Sequence, residues 1–86
     1  MGLDTVELVL QLEDEFSIQM SDQRASEIIT VGELTDYIVQ LVAERGLAIE
    51  AAEVYSRVRE ILIENYAVKP AAIERDARIV KDLGLD

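Results

Sequence analysis

The side chains that could do chemistry in this sequence are mainly carboxylates. The 86 residues include 18 Asp or Glu against 8 Lys or Arg, and they include no cysteine and no histidine. This composition excludes disulfides, thiolate nucleophiles, zinc sites with the usual ligands and the commonest general base. The groups left for chemistry are carboxylates, hydroxyls and the side chains of eight Lys or Arg residues.

The densest acidic run, Glu13-Asp14-Glu15, does not have the pattern of a catalytic or metal site. Paired carboxylates such as Glu13 and Glu15 can indicate a hydrolase, but these two lie at the end of a predicted helix without a basic or nucleophilic companion. The run also lacks the spacing and the central glycine of a calcium loop. No glycine-rich phosphate cradle is present. We therefore expect a protein that is not an enzyme and that binds no metal.

The formal net charge of −10 predicts which partners this surface would bind. Nucleic-acid phosphates and anionic membranes would repel it, whereas basic protein surfaces would attract it. The simpler alternative is that the acids only keep a small domain soluble. No segment has the length of a membrane span, and the N-terminus lacks a signal-peptide pattern. The expected location is the cytoplasm, with neither nucleic acid nor membrane as a partner.

The spacing of apolar residues predicts helices over the first two thirds of the chain. An amphipathic helix with an acidic outer face is expected from Leu3 to Phe16. Ser21 or Asp22 is a plausible N-cap for a short helix that ends near Ile28. Thr30-Val31-Gly32-Glu33 has the form of a capping box, which opens a third helix. The residues assigned first to the core are Val6, Leu10, Phe16, Ile28, Val39, Ile61 and Leu62.

The second part of the sequence predicts one more helix and then a long loop. Gly46 is expected to end the third helix, and the fourth runs from Glu53 to about Tyr66. The residues between them form either a tight turn or part of one long helix shared between protomers, since glycine costs a helix interior only about 1 kcal/mol. Residues 68–86 lack periodicity and predict an ordered loop, a length that is usually functional. Its apolar anchors are Ile73, Ile79, Val80, Leu83 and Leu85.

Two stretches of the sequence resemble known elements of one family. Gly2-Leu3-Asp4-Thr5-Val6-Glu7-Leu8-Val9, continuing to Phe16, resembles the second helix of acyl carrier proteins, which in that family follows an Asp-Ser-Leu signature. Residues 22–38 resemble the later elements of the same fold. Residues 54–66 are similar to its first helix. Residues 79–86, Ile-Val-Lys-Asp-Leu-Gly-Leu-Asp, resemble the end of the first loop, which leads into the signature.

The two halves thus follow each other in exchanged order. Residues 1–86 are interpreted as one carrier domain, in which 2–49 resemble the family's C-terminal half and 50–86 its N-terminal half. Circular permutation requires the old termini to lie close together. A cut at the signature after a Met-Gly start is more typical of engineering than of evolution. The resemblance implies an all-α, four-helix bundle of the acyl-carrier type with a long ordered loop, in permuted order.

The resemblance also implies a cofactor that this chain is not expected to carry. In the family, a serine is esterified by phosphopantetheine, whose thiol holds acyl groups as thioesters during fatty acid biosynthesis. The corresponding position is Gly2, between Asp86 and Leu3, and Met1-Gly2 separates these two residues. Glycine has no hydroxyl, so no arm is expected here. The other serines lie outside any such signature and are interpreted as loop, cap or surface residues: Ser17, Ser21, Ser26 and Ser56.

The acids of the first helix would form the recognition surface. The resemblance implies that Asp4, Glu7, Glu13 and Asp14, with Glu15 beside them, meet basic grooves on phosphopantetheinyl transferase and on acyl-processing enzymes. A slot between helices would hold the acyl chain. Three alternatives stay open: an aminoacyl or peptidyl carrier, an interaction module that is never loaded, and a domain-swapped dimer in place of a monomer.

Overall fold

The computed structural model describes residues 2–86 and contains four α-helices. They are α1 (Leu3–Phe16), α2 (Asp22–Glu27), α3 (Val31–Glu44) and α4 (Ala51–Tyr66), followed by a single 3-10 turn at Pro70–Ala72. No strand occurs within residues 2–86; the one β-type contact there is an isolated bridge between Thr30 and Arg78. The all-α prediction with four helices is therefore confirmed. The sequence predicts that Met1-Gly2 separates Asp86 from Leu3. Of these two separating residues, Met1 lies outside the described residues.

One apolar core receives side chains from three helices and from the loop that follows α4. Each of α1, α3 and α4 buries a stripe of aliphatic residues, and α3 packs directly on α4. The most buried members are branched aliphatic side chains, which is expected in a chain with four aromatic residues. The core residues with no more than 2% of their surface exposed are Leu8, Leu12, Val31, Leu34, Ile38, Val54, Val58, Ile61, Leu62 and Leu85.

The predicted helix starts are confirmed where a short polar side chain precedes the helix. The Ser21 hydroxyl accepts a hydrogen bond from the Arg24 N–H at 3.1 Å and so caps α2. The Thr30 hydroxyl accepts from the Glu33 N–H at 3.1 Å, while the Glu33 carboxylate accepts from the Thr30 N–H at 2.9 Å. These reciprocal bonds are a capping box, which satisfies N–H groups that have no acceptor within the helix.

The segment around Gly46 is a turn between two separate helices. The third helix ends at Glu44, and Gly46 follows with φ +81°, a left-handed conformation that favours glycine. The fourth helix begins at Ala51, two residues before the predicted start. A continuous helix through this segment is therefore not formed.

Two residues of α1 that were predicted to lie in the core are exposed. Val6 and Leu10 were assigned to the core, but they are 37% and 59% exposed, and the buried residues of α1 are Leu8 and Leu12. Half of the residues in this helix are apolar, and they cover more than half of its circumference, so spacing alone could not select which part of that wide stripe is buried. In the final loop, Val80 is 56% exposed and is not an anchor, whereas Ile73, Ile79 and Leu85 are buried.

The short helix α2 is attached to α3 through Tyr37. The Tyr37 hydroxyl accepts a hydrogen bond from the Ser21 N–H at 3.3 Å, and the Arg24 guanidinium lies 4.7 Å from the centre of the tyrosine ring. Only Ala25 of this helix is buried. Because so little apolar surface holds α2, these polar contacts with Tyr37 determine its position.

We expect Thr30→Ala to destabilise the protein by about 1 kcal/mol, since it removes the acceptor for the Glu33 N–H at the start of α3. Urea unfolding followed by circular dichroism measures this change. Thr30→Ser is the matched control because it keeps the hydroxyl and should lose much less. Equal losses in both variants would contradict a capping role.

The same capping box predicts a dependence of stability on pH. Hydrogen bonds from the Thr30 N–H and then the Ile29 N–H lower the pKa of the Glu33 carboxyl below its ordinary value of 4.5. A group whose pKa is lower in the folded state adds stability above its unfolded pKa, and this stability is lost as the pH falls through the folded value.

We therefore expect the native protein to exceed Glu33→Gln in stability at neutral pH, and this advantage to disappear as the solution is acidified below pH 4.5. Urea unfolding of both proteins over a pH series measures the difference. A difference that stays constant with pH would contradict the ionised cap.

Candidate functional site

At the sequence-predicted site, Asp86 lies against Gly2 and the first turn of α1. The backbone oxygen of Asp86 accepts a hydrogen bond from the Thr5 N–H at 2.9 Å. The Asp86 side-chain Oδ1 accepts a hydrogen bond from the Asp4 N–H at 3.4 Å. A Cβ built on Gly2 would lie 2.1 Å from the carbonyl carbon of Asp86. The structure therefore brings together Gly2, Asp86 and the first turn of α1, although they lie at opposite ends of the chain.

Asp86 provides the side-chain acceptor that an N-cap residue usually provides at the start of a helix. Gly2 occupies the cap position with an extended backbone and offers no side chain, so the helix has no cap of its own. The Asp86 side chain accepts from a first-turn N–H in its place, and its negative charge lies at the positive end of the helix dipole. The helix start is completed by a residue from the end of the final loop.

The residues at this site do not fit a phosphopantetheine arm. The arm needs a hydroxyl, and Gly2 has none. A side chain at this position would also overlap the Asp86 backbone, because even a Cβ comes within 2.1 Å of it. Leu3, the other residue named at the site, projects into solvent with 78% of its surface exposed.

The remaining serines have local roles that agree with the sequence interpretation. Ser17 ends α1 in a left-handed conformation with φ 54°, and Ser21 caps α2. The Ser26 hydroxyl donates to the Gln23 carbonyl at 2.7 Å, and Ser56 lies exposed on α4.

An apolar cavity opens directly beside Gly2. Its volume is about 200 Å³, and α1, α2, α3 and the final loop all contribute to its walls. Of the residues that the sequence assigned to the core, Ile28 lines this cavity, whereas Val6 and Leu10 are on the outside of α1. The lining residues are Gly2, Thr5, Leu8, Val9, Ala25, Ser26, Ile28, Leu34, Ile79 and Val80.

The exposed side of α1 combines acids with apolar residues that sequence reasoning had placed in the core. Residues at offsets of three, four, seven and eleven share one face of a helix. We call this surface the docking face, and it lies opposite Leu8 and Leu12. It consists of Leu3, Val6, Glu7, Leu10 and Asp14, all exposed.

The other acids of α1, namely Asp4, Glu13 and Glu15, lie outside the docking face and make contacts within the chain. Asp4 is half-buried at the start of the helix, where its N–H bonds Asp86. Glu13 accepts a hydrogen bond from the Met20 N–H at 2.7 Å and so holds the loop after α1. Glu15 pairs with Arg57 of α4 at 2.9 Å, and this hydrogen bond lowers the pKa of the Glu15 carboxyl. Glu13 and Glu15 therefore have structural partners within the chain.

The acidic start of α1 also influences a neighbouring tyrosine. Burial raises the pKa of the Tyr66 hydroxyl, and the charges of Glu7 and Asp4 raise it further. Both of these carboxylates belong to the first two turns of α1. The carboxylates there act together as a local negative field.

Comparison with known proteins gives a family resemblance over half of the chain. No family model matches the sequence, and no solved structure matches it. A curated relative, "Acyl carrier protein 5, chloroplastic" of Arabidopsis thaliana, is 51% identical over 44 residues, which is 51% of this chain and 32% of the relative. The aligned part thus spans about a third of that protein's length. This relative is by name a carrier and not an enzyme, in agreement with the sequence prediction.

The location of the chain stays a prediction. The relative is named as chloroplastic, whereas the sequence led us to expect the cytoplasm. In the part of the chain that the structure describes, no helix has the length and apolar character needed to cross a membrane.

We expect Leu10→Ala and Leu12→Ala to differ strongly in stability, although the two leucines lie two residues apart. Leu12 is fully buried, so its truncation should cost about 2–5 kcal/mol. Leu10 is 59% exposed, and its truncation should cost less than about 0.5 kcal/mol. Urea unfolding of both variants measures the difference. Similar losses would mean that the docking face is covered in the folded protein.

Proposed function

We propose that residues 1–86 form a single carrier domain of the acyl-carrier type, with its halves joined in exchanged order and without the ability to be loaded. The carrier role is supported by the 51% identity to an acyl carrier protein over half of the chain. In this interpretation the protein part performs no reaction; it presents a recognition surface, while the thioester chemistry belongs to an arm.

The main support for the exchanged order is the contact between Asp86 and the start of α1. The Asp86 carbonyl accepts the Thr5 N–H as an ordinary helix carbonyl would, so the backbone continues in space from the end of the loop into α1. Permutation needs this proximity. The extent of the alignment, 44 residues, agrees with the proposal, because a collinear comparison can match only one of two exchanged halves at a time.

The proposed loss of loading is supported by the chemistry of position 2. Attachment would require a hydroxyl where Gly2 stands, and Asp86 occupies the space that a side chain would need. Phosphopantetheine is therefore proposed for the parent family and not for this chain. An interaction module that docks partners without carrying cargo is the second candidate, and the intact docking face of α1 favours it.

The proposed partners are phosphopantetheinyl transferase and acyl-processing enzymes with basic patches. Asp4, Glu7 and Asp14 would attract such surfaces and raise association rates, while the apolar residues of the docking face would add contact area. Glu13 would contribute less, since it is bound to the loop after α1. An aminoacyl or peptidyl cargo stays an alternative to acyl groups. The turn at Gly46 allows α3 and α4 to pack within one chain, which favours a monomer over the domain-swapped dimer.

We expect no increase in mass when the native chain is incubated with coenzyme A and a promiscuous phosphopantetheinyl transferase, because no serine lies in the required context. Intact-mass spectrometry measures this directly. A chain in restored order, residues 50–86 followed by serine and residues 3–49, should gain one arm. The same restored chain with alanine in place of that serine is the matched control.

Two outcomes would contradict different parts of the proposal. An arm on any serine of the native chain would show that loading is retained. A restored serine chain that folds but stays unmodified would argue against the carrier function itself.

A further inference from the structure

The last twelve residues, 75–86, run along the starts of two helices, and we call them the strap. At α3, the Arg75 carbonyl accepts a hydrogen bond from the Gly32 N–H at 2.8 Å, and the Ala77 carbonyl accepts from the Val31 N–H at 3.0 Å. A third bond runs the other way, from the Ile79 N–H to the Ile29 carbonyl at 2.9 Å. The strap thus supplies acceptors for first-turn N–H groups of α3.

The end of the strap does the same for α1. The Asp86 carbonyl and carboxylate accept the N–H groups of Thr5 and Asp4 at 2.9 and 3.4 Å. Both contacts are close because glycine stands opposite the strap in each case. A Cβ on Gly32 would lie 3.0 Å from the Arg75 carbonyl oxygen, and a Cβ on Gly2 would overlap Asp86. Each helix start has a glycine at the place where the strap lies against it.

The part of the strap between these two contacts is a compact turn and not a free linker. The Arg78 N–H donates to the Asp82 carboxylate at 2.8 Å, and its guanidinium donates to the same carboxylate at 3.2 Å. The Leu85 N–H donates to the Ile79 carbonyl at 3.2 Å, and both of these side chains are buried. The two capping contacts are thus joined by a contiguous series of hydrogen bonds and buried side chains, the kind of connection through which coupling between two sites is carried.

From these contacts we propose that the strap caps α1 and α3 as one unit, so that the starts of both helices open and close together. The first turn of α1 then keeps its hydrogen bonds only while the strap is bound at α3. This turn carries Leu3 at one end of the docking face. The order of that end of the docking face therefore depends on contacts made at Gly32. The proposal concerns the fold of this chain and does not depend on whether it carries acyl groups.

The test is to disturb the strap at α3 and to measure the amide exchange of α1. Gly32→Val places a branched side chain against the Arg75 backbone, which should displace the strap. Under conditions where exchange reports opening equilibria, we expect the Val31 and Thr5 amides to exchange faster together, each by about tenfold or more.

Gln40→Gly is the matched control, because it weakens the exposed middle of α3 without touching the strap. Opening is compared after correction for the global stability of each variant, measured by urea unfolding. Faster exchange at Thr5 in Gly32→Val than in this control supports the proposal. Faster exchange at Val31 with unchanged Thr5 would overturn it, since the two caps would then be independent.

A second variant tests the same coupling from the other end and covers the case in which Gly32→Val does not fold. Asp86→Ala removes the side-chain acceptor at α1, and linkage requires that a coupled unit then also loosens at α3. We expect faster exchange at both Thr5 and Val31 than in Asp76→Ala, which removes another exposed carboxylate of the strap. An effect confined to the Asp4 and Thr5 amides would refute the coupling.

Discussion

Each α-helix begins with N–H groups for which the helix itself has no acceptors, and leaving such groups unpaired away from water costs free energy. In this protein α3 meets the requirement partly with its capping box at Thr30, whereas the cap position of α1 is a glycine, Gly2, that offers no side-chain acceptor. One loop supplies the missing carbonyls to both helices. The position of that loop, and with it the relative placement of α1 and α3, follows from this need for acceptors.

The loop can take this position because it also contributes to the core. Ile73, Ala77, Ile79 and Leu85 are buried among side chains of the helices, while most residues between them face solvent. Burial of each Ile or Leu side chain contributes about 1.5–3 kcal/mol, which offsets part of the entropy lost when a long segment becomes ordered. A loop without these anchors could not hold carbonyls at fixed places.

The candidate site lies where Gly2 and Asp86 meet, and the role proposed for it is recognition. Gly2 provides space for Asp86 and no hydroxyl, so a contact between chain ends occupies the place where an attached arm would need to begin. The adjacent cavity of about 200 Å³ and the exposed face of α1 are formed by other parts of the chain and do not need that hydroxyl. For this reason the proposed docking role does not depend on loading.

The sequence by itself determined features that depend on neighbouring residues: the bounds of α1, the capping box at Thr30 and the absence of a hydroxyl at position 2. It left open whether Ser21 or Asp22 caps α2 and whether the segment at Gly46 is a turn or a continuous helix, and the structure decided both. Only the tertiary structure decided which side of α1 faces the core. Its apolar residues form a stripe that covers more than half of the helix circumference, so the choice of Leu8 and Leu12 over Val6 and Leu10 depends on what α3, α4 and the loop present to it. The capping of α1 by Asp86 was likewise not predictable, since hydrogen bonds between distant residues leave no periodic pattern in a sequence.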